Sequence, residues 1–449
     1  MLLDIPFRLY WHVDVKRRVP NVFNKLALLE KDQRKSPTQI KQDQFSALKK
    51  LLIHAFENCD YYRDKFNSCG INPYQVMSWR DFYKVPILKK KDVQKNLDAI
   101  LAKGVNKNEL FEDATGGSIG EPLIFYHDRE CKEWFEACDI FAKKWWGIRP
   151  WCKKAFLWGA DRDIPELSLK ERLKLKLERS TFLNSFDMDD TKMEAYSRFL
   201  IKWRPGYLQG YASSLHLFST YLLKNNITVP KPKAIRSSAD TLTPEKRTVI
   251  EQVFGDKIYD FYGSREITNI AVECPAHQGL HIFSTIRYVE ILNSDGEQLV
   301  DKPGKIIVTD LVNYSMPFIR YEIGDVGIIS DKECECGRPF PILKSIEGRI
   351  TDFIQTRSGK YIHGEFFTHL FYGVKNISDF QVHQEDLNAL KIYIVAETEV
   401  DKEILSKISE KIQEKMGEHV NVVIKFVEKI QPTKTGKRLF TISSVPPKF

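Results

Sequence analysis

Over residues 37–66 and 128–146 apolar side chains recur every three or four positions with charges between them, which predicts amphipathic helices. The short β-branched and aromatic runs at 123–127 (LIFYH), 285–292 (TIRYVEIL) and 305–311 (KIIVTDL) predict strands. The bulk of the chain is therefore α/β. Between Arg172 and Arg179 the run RLKLKLER alternates strictly, which predicts a half-buried strand at a solvated edge or, given its basic excess, a face against an anionic partner. From about residue 348 the texture changes to a turn at Arg357-Ser-Gly359, a strand at 390–396, a charged helix over 401–417 and a strand at 420–427. That succession predicts a small α+β domain of about 100 residues after a much larger one, without internal repeats or a low-complexity linker.

With 43% hydrophobic and 29% charged residues over 449 positions, the chain can bury enough apolar surface to fold unaided, and disorder is excluded. Lys+Arg 68 against Asp+Glu 60 leaves +8, a mild excess that draws in anionic small molecules. No arginine-rich tail or recognition motif points to nucleic acid. The opening MLLDIPFRLYWHVD is apolar but carries Asp4 and Arg8 and lacks a small-residue cleavage site, so it reads as a docking segment rather than a leader. No run of about 18 apolar residues is present, so a membrane span is not expected, contact with a membrane surface is left open, and the expected location is cytoplasmic. Eight scattered cysteines, two of them in Cys334-Glu-Cys336, suit thiols or metal ligands better than a disulfide framework.

Three glycines and two hydroxyl residues crowd into Asp113-Ala-Thr-Gly-Gly-Ser-Ile-Gly-Glu-Pro122. Such a loop can lay backbone N–H groups and hydroxyls against a polyphosphate. It lacks the lysine of a Walker loop and the spacing of a dinucleotide fingerprint, and by itself it is equally a glycine-rich hairpin turn.

Read with four later segments, this loop gains a context. Thr115-Gly-Gly-Ser-Ile-Gly-Glu-Pro122 resembles the T-S-G-[ST]-T-G-x-P signature of the adenylate-forming superfamily, and Phe261-Tyr-Gly-Ser-Arg-Glu266 resembles its Y-G-x-[ST]-E. Arg320-Tyr-Glu-Ile-Gly-Asp325, Gly348-Arg-Ile-Thr-Asp352 and Pro432-Thr-Lys-Thr-Gly-Lys437 resemble, in the same order, its [RY]-x-T-G-D, G-R-x-x-D and P-x-T-x-[SG]-G-K. Asn58-Cys-Asp-Tyr-Tyr-Arg63, Ser78-Trp-Arg-Asp81 and Val85-Pro-Ile-Leu-Lys89 are similar to stretches of the phenylacetate–CoA ligase and CapK-like branch, which includes coenzyme F390 synthetase. The resemblance covers essentially the whole chain and turns the N-terminal docking segment into a family-typical helical region.

The resemblance implies a large N-terminal adenylate-forming domain over 1–347 that binds ATP and an acyl group, and a small mobile α+β domain over 348–449 that carries the catalytic lysine. It implies ATP-dependent activation of a carboxylate as an acyl-adenylate, then transfer to an acceptor, CoA before an amine. Thr115, Gly116, Gly117, Ser118 and Gly120 are then expected at the phosphates, Glu266 at Mg²⁺, and Tyr262, Gly263 and Ser264 at adenine. Asp325 is expected at the ribose, where one carboxylate can accept two hydroxyl donors. Lys437 is the expected catalytic cation, with Arg349 near ribose or phosphate. Ala239 and Asp240, in Ser237-Ser-Ala-Asp240, stand where an adenine-binding turn with Glu is usual, and Thr351 stands at the usual hinge Asp or Lys. In Tyr207-Leu-Gln-Gly-Tyr-Ala-Ser-Ser214, Tyr211 and Ser213 are the expected acyl-pocket wall. Glu273-Cys-Pro-Ala-His-Gln-Gly-Leu-His281 and Cys334-Glu-Cys336-Gly-Arg338 resemble a zinc-binding pair of segments, implying structural Zn²⁺ on Cys274, Cys334, Cys336 and either His281 or His277. A role in surface-polysaccharide synthesis, an amide ligase or adenylyltransferase, and a catalytically silent scaffold are the further readings; the acyl group and oligomeric state stay open.

Overall fold

The computed structural model describes residues 4–115, 123–158, 168–185, 188–349, 353–357, 361–363, 365–371, 374, 376–396, 398, 400–416, 420–430 and 440–445. Among them, eleven strands form one sheet in the order Arg287–Leu292, Gly304–Asp310, Tyr321–Ser330, Ile342–Arg349, Leu280–Ile282, Ala271–Glu273, Ile258–Tyr262, Ala234–Ser238, Tyr207–Tyr211, Lys154–Leu157 and Ser180–Leu183. The last five pair in parallel and the rest antiparallel. Parallel strands need crossovers, and the amphipathic helices Asp190–Trp203, Ala212–Lys224 and Pro244–Phe254 supply them. Ala155, Leu208, Ile235 and Ile258 pack on one face against Leu215, Phe218, Ile250 and Phe254. The opposite face receives the helix Arg129–Trp145, opened by Asp128, whose carboxylate accepts from the Cys131 N–H at 2.8 Å.

Residues 353–445 carry a separate core in which Ile354, Phe367, Val382, Ile392, Ile394 and Ile412 are buried together. Its sheet runs Asn421–Phe426, Ala389–Ala396, Ile377–Asp386, Thr441–Ser443, with the helix Lys402–Met416 against it. The predicted strand at 390–396, helix at 401–417 and strand at 420–427 are all present.

Two expectations are corrected. The periodic run 37–66 is broken at Cys59, which is extended (φ −115°, ψ 120°), into helices Pro37–Asn58 and Asp60–Ser68. Asn58 turns its amide back to the His54 carbonyl at 2.9 Å, and Asp60 favours a fresh helix start by its charge. The alternating RLKLKLER is no strand: Leu169–Leu177 is a helix. Ser168 and Glu171 form a reciprocal capping box, Leu, Lys, Glu and Arg are good helix formers, and the run has no second strand beside it to reward alternation. The N-terminal segment is helical over Ile5–Arg18.

Candidate active site

The strand Ile258–Tyr262 ends in the turn that carries Gly263, Ser264 and Glu266. Ser264 closes this turn twice, its N–H donating to the Ile267 carbonyl at 2.9 Å and its hydroxyl accepting from the Ile267 N–H at 3.0 Å. A side chain at Gly263 would bring a Cβ within 3.0 Å of the Asn269 nitrogen, so the close turn needs glycine. Tyr262 donates its hydroxyl to Asp325 Oδ2 at 2.8 Å, joining two motifs 63 residues apart. Glu266 is buried and accepts from the Tyr321 hydroxyl at 3.1 Å, while His127 Nε2 meets the Glu266 carbonyl at 3.0 Å. Since a carbonyl only accepts, Nε2 carries the proton. Burial pushes the His127 imidazole down to about 4, so it is neutral near pH 7.

Arg320 anchors the other side. Its side chain is buried, donates to Glu290 at 2.9 and 3.1 Å and to the carbonyls of Tyr83 and Val85 at 2.6 Å. Leu88 in turn pairs by backbone with Arg320 and Glu322. The segment Val85–Lys89 thus lies beside the strand that presents Asp325. Tyr321, His127 and Arg320 were not singled out from sequence; Tyr321 and Arg320 lay inside a recognised motif, and His127 ends a predicted strand.

Gly116, Gly117, Ser118 and Gly120 lie outside the described residues, as do Thr351 and Lys437. Thr115 marks the neck of the glycine loop: its N–H donates to the Leu123 carbonyl at 2.9 Å and its hydroxyl accepts from the Leu123 N–H at 3.0 Å. Asp113, just before it, faces Arg265 at 3.5 Å, which sets the neck beside the Glu266 turn. Arg349 ends the strand Ile342–Arg349, in register opposite Asp325.

On the parallel side, Tyr211 lies with its ring centroid 4.2 Å from that of Trp158. Asp240 accepts from the Ser213 N–H at 2.8 Å and lies 3.5 Å from Lys246, tying the Tyr211–Ser214 segment to the Ser237–Asp240 turn. Ala239 holds φ +72°, a left-handed conformation that a residue with a Cβ adopts at some cost. In this geometry Asp240 is a clamp between the two turns. Ser237 Oγ, Arg236 Nε and Asp240 Oδ1 are buried without a protein partner.

Cys274, His281, Cys334 and Cys336 place one ligand atom each within 4.8 Å of one another. Cys274 and Cys334 sulfurs are 3.7 Å apart, and Cys336 Sγ is 3.2 Å from His281 Nε2. The nitrogen in this group is that of His281: His277 instead meets Glu273 at 3.0 Å and stacks on Tyr259. His281 Nδ1 lies 3.4 Å from the Phe340 carbonyl, which leaves Nε2 to the sulfurs. Three sulfurs and one imidazole nitrogen fit a closed tetrahedral zinc set. Burial pushes the Cys274 thiol up to about 12, so zinc would have to displace its proton.

Residues 354–444 match the CapK C-terminal domain. Protein CapK of Staphylococcus aureus is 27% identical over 397 residues, 87% of this chain and 86% of that one. Phenylacetate-coenzyme A ligase of Thermus thermophilus is 24% identical over 321 residues, 69% of this chain and 70% of that one. A 2-hydroxyisobutyryl-CoA ligase structure superposes with a TM-score of 0.69 at 19% identity, covering 92% of this chain and 91% of that one. These likenesses define the class of fold: the chain has the two-domain architecture of the adenylate-forming ligases, and acid–CoA ligases are among the proteins it is similar to. Within that class it is a relative of CapK and of phenylacetate–CoA ligase, as the motifs implied.

Proposed function

We propose that the chain activates a carboxylate with ATP as an acyl-adenylate, releases pyrophosphate, and transfers the acyl group to CoA. The observation that carries this reading is the convergence of Thr115, Tyr262, Glu266 and Asp325 through direct contacts or their immediate neighbours. In the proposed reaction a carboxylate oxygen attacks the α-phosphorus and the bond to pyrophosphate breaks; the CoA sulfur then attacks the acyl carbon, loses its proton and displaces AMP. The task of the protein is positioning and charge stabilisation.

Asp325, oriented by Tyr262, would accept the ribose hydroxyls, and Tyr262, Gly263, Ser264 and Ala239 would border adenine. Thr115 and the loop Gly116, Gly117, Ser118 and Gly120 would cradle the phosphates. Glu266, with one oxygen already held by Tyr321, would offer the other to Mg²⁺, which when bound neutralises charge on phosphate oxygens. Lys437, as a movable point charge, would pair with the α-phosphate and the carboxylate, with Arg349 beside the ribose. Tyr211 and Ser213 would wall the acyl group. We take 1–347 as the ATP- and acyl-binding domain and 348–449 as the small domain that turns about Thr351. A cytoplasmic setting and a role in surface-polysaccharide synthesis belong to the same proposal, the latter supported by the likeness to CapK. Among the described residues no helix is long and apolar enough to cross a membrane.

A carboxylate panel tested with ATP and Mg²⁺, with and without CoA and with hydroxylamine as trap, checks this reading. The expected products are pyrophosphate, AMP and, with CoA, a thioester. ADP and phosphate as products would overturn it, and an acyl-amine formed in preference to a thioester would reassign the acceptor. For the thiolate cluster we expect about one zinc per chain by elemental analysis, lost together with thermal stability when Cys334 and Cys336 are both changed to Ser. Full stability and activity without zinc would remove the metal from the account.

A further inference from the structure

Two segments that look unrelated in sequence lie side by side in the fold, and neither has a part in the proposed chemistry. The helix Ile5–Arg18 and the helix Leu169–Leu177 are tied by Asp4 and Arg179, 2.6 Å apart, with the Arg179 guanidinium 4.4 Å from the centre of the Phe7 ring. Both turn their inner faces to one cavity of about 370 Å³, the first through Phe7, Trp11 and Asp14, the second through Leu175. The faces turned away from this cavity carry exposed aliphatic side chains. On these faces Ile5, Leu9 and Val13 repeat every fourth residue, and Leu169 and Leu173 stand one turn apart, while Leu177 lines the cavity with Leu175. These are not half-hidden residues: Leu169 is 85% and Leu9 65% exposed. Single exposed aliphatics are ordinary, but two adjacent stripes form a patch.

The exposed charges around the stripes are mostly positive. Arg8, Lys16 and Arg17 on the first helix and Lys170, Arg172, Lys174 and Lys176 on the second are exposed. Of the acids, Asp14 is buried over the cavity and pairs with Arg17 and Arg18, Glu178 lines the cavity, and Glu171, though exposed, is engaged in the Ser168 capping box at 2.7 Å. Aliphatic stripes flanked by Lys and Arg are what a helix needs to lie in the boundary of a bilayer, with methyl groups among the acyl chains and cations at the head groups. A second copy of the chain would set this basic surface against itself, and a nucleic acid would leave the aliphatic stripes wet.

We propose that the paired helices Ile5–Arg18 and Leu169–Leu177 form a docking surface for a membrane leaflet rich in anionic lipid. Docking is peripheral and separate from the acyl-transfer site. It would hold the enzyme beside the membrane without a spanning segment.

Sedimentation of the full chain with vesicles tests this. The chain is expected to sediment with vesicles of roughly equal parts phosphatidylcholine and phosphatidylglycerol, to ignore pure phosphatidylcholine, and to be released as salt shortens the Debye length. Replacing Leu9→Glu and Leu173→Glu together, or Lys170→Glu and Lys176→Glu together, should weaken binding at least about tenfold. Both pairs are solvent-facing, so the melting temperature should match that of the unchanged protein and report an intact fold. Binding that is absent, indifferent to lipid charge, or unaltered by either pair in folded protein would overturn the assignment. So would a concentration-dependent dimer that the Leu pair abolishes while vesicles are ignored, because that outcome makes a second copy the occupant.

Discussion

In the antiparallel half of the large sheet Arg287 is fully buried, its guanidinium 2.5 Å from a fully buried Asp310 and 2.8 Å from the Thr268 carbonyl, and Arg320 repeats the arrangement with Glu290. In the parallel half Arg236 also meets a carboxylate, Asp139, at 2.8 Å, but its Nε, the neighbouring Ser237 Oγ and Asp240 Oδ1 have no protein partner. The antiparallel half is not wholly satisfied, since Asp310 Oδ2 also lacks a partner there. The difference lies in where the open valences point. Two of those in the parallel half, Ser237 Oγ and Asp240 Oδ1, lie on one strand and its turn beside the proposed acyl residues, whereas the ion pairs of the other half brace the strands that present Glu266 and Asp325. A group proposed to meet the same nucleotide each turnover benefits from a support braced by buried ion pairs, and a surface proposed to meet a variable acid benefits from groups still able to bond.

The sharpest way to break this comparison is at the residues proposed to meet the nucleotide. Glu266→Gln or Asp325→Ala should lower carboxylate-dependent ATP–pyrophosphate exchange by about 10²–10³-fold. Lys437→Ala should depress that exchange far more than acyl transfer from a supplied acyl-adenylate, because in the proposed reaction the lysine serves one arrangement of the small domain. Wild-type exchange in all three variants would place the nucleotide elsewhere and leave the braced half without its purpose.

A smaller effect sharpens the contrast in stability. Arg287→Met strands Asp310 in the core and should cost about 3–5 kcal/mol of unfolding free energy. Ser237→Ala removes a hydroxyl with no protein partner and should change stability by less than about 1 kcal/mol while altering the KM for the carboxylate. Denaturant titration of both variants decides this, and equal losses would mean the two halves are supported alike.

Much of this organisation was legible before any coordinates. The strands at 285–292 and 305–311 follow from local spacing, the change of texture near residue 348 from the succession of short elements, and the order of the motifs from the resemblance to the adenylate-forming superfamily. What stayed hidden depended on contacts between distant residues. His127 meets Glu266 across 139 positions, and Arg320 reaches back 237 and 235 to Tyr83 and Val85. The choice between His277 and His281 was likewise tertiary, because Glu273 and Tyr259 draw His277 away from the sulfurs. The helix at Leu169–Leu177 was hidden because strict alternation of Leu and Lys has the period of a strand, whereas the helix start is set by the Ser168/Glu171 capping box. Asp240, expected near adenine, also bonds to Ser213 and lies beside Lys246, contacts that no local spacing announces.

The seam between the halves gives the mildest prediction. Asp260 lies in the strand Ile258–Tyr262, the last of the parallel set, and burial, with Glu273 nearby, pushes its carboxyl up to about 7 from an ordinary 3.8. Its Oδ1 accepts from the Phe261 N–H at 3.0 Å and its N–H donates to Glu273 at 2.7 Å, bonds that an asparagine can keep. Between pH 3.8 and about 7 the unfolded chain has lost this proton while the folded chain holds it, so the folded state binds more protons and stability falls as pH rises through that window. Asp260→Asn has no proton to lose. It should equal the unchanged protein near the acid end of the window and exceed it above the upper end by on the order of 2–3 kcal/mol, allowing for screening at a partly exposed strand position. Unfolding midpoints measured across that range for both proteins should diverge as pH rises. Parallel curves would show that Asp260 ionises as freely in the fold as in the open chain, and that the seam carries no electrostatic load from Glu273.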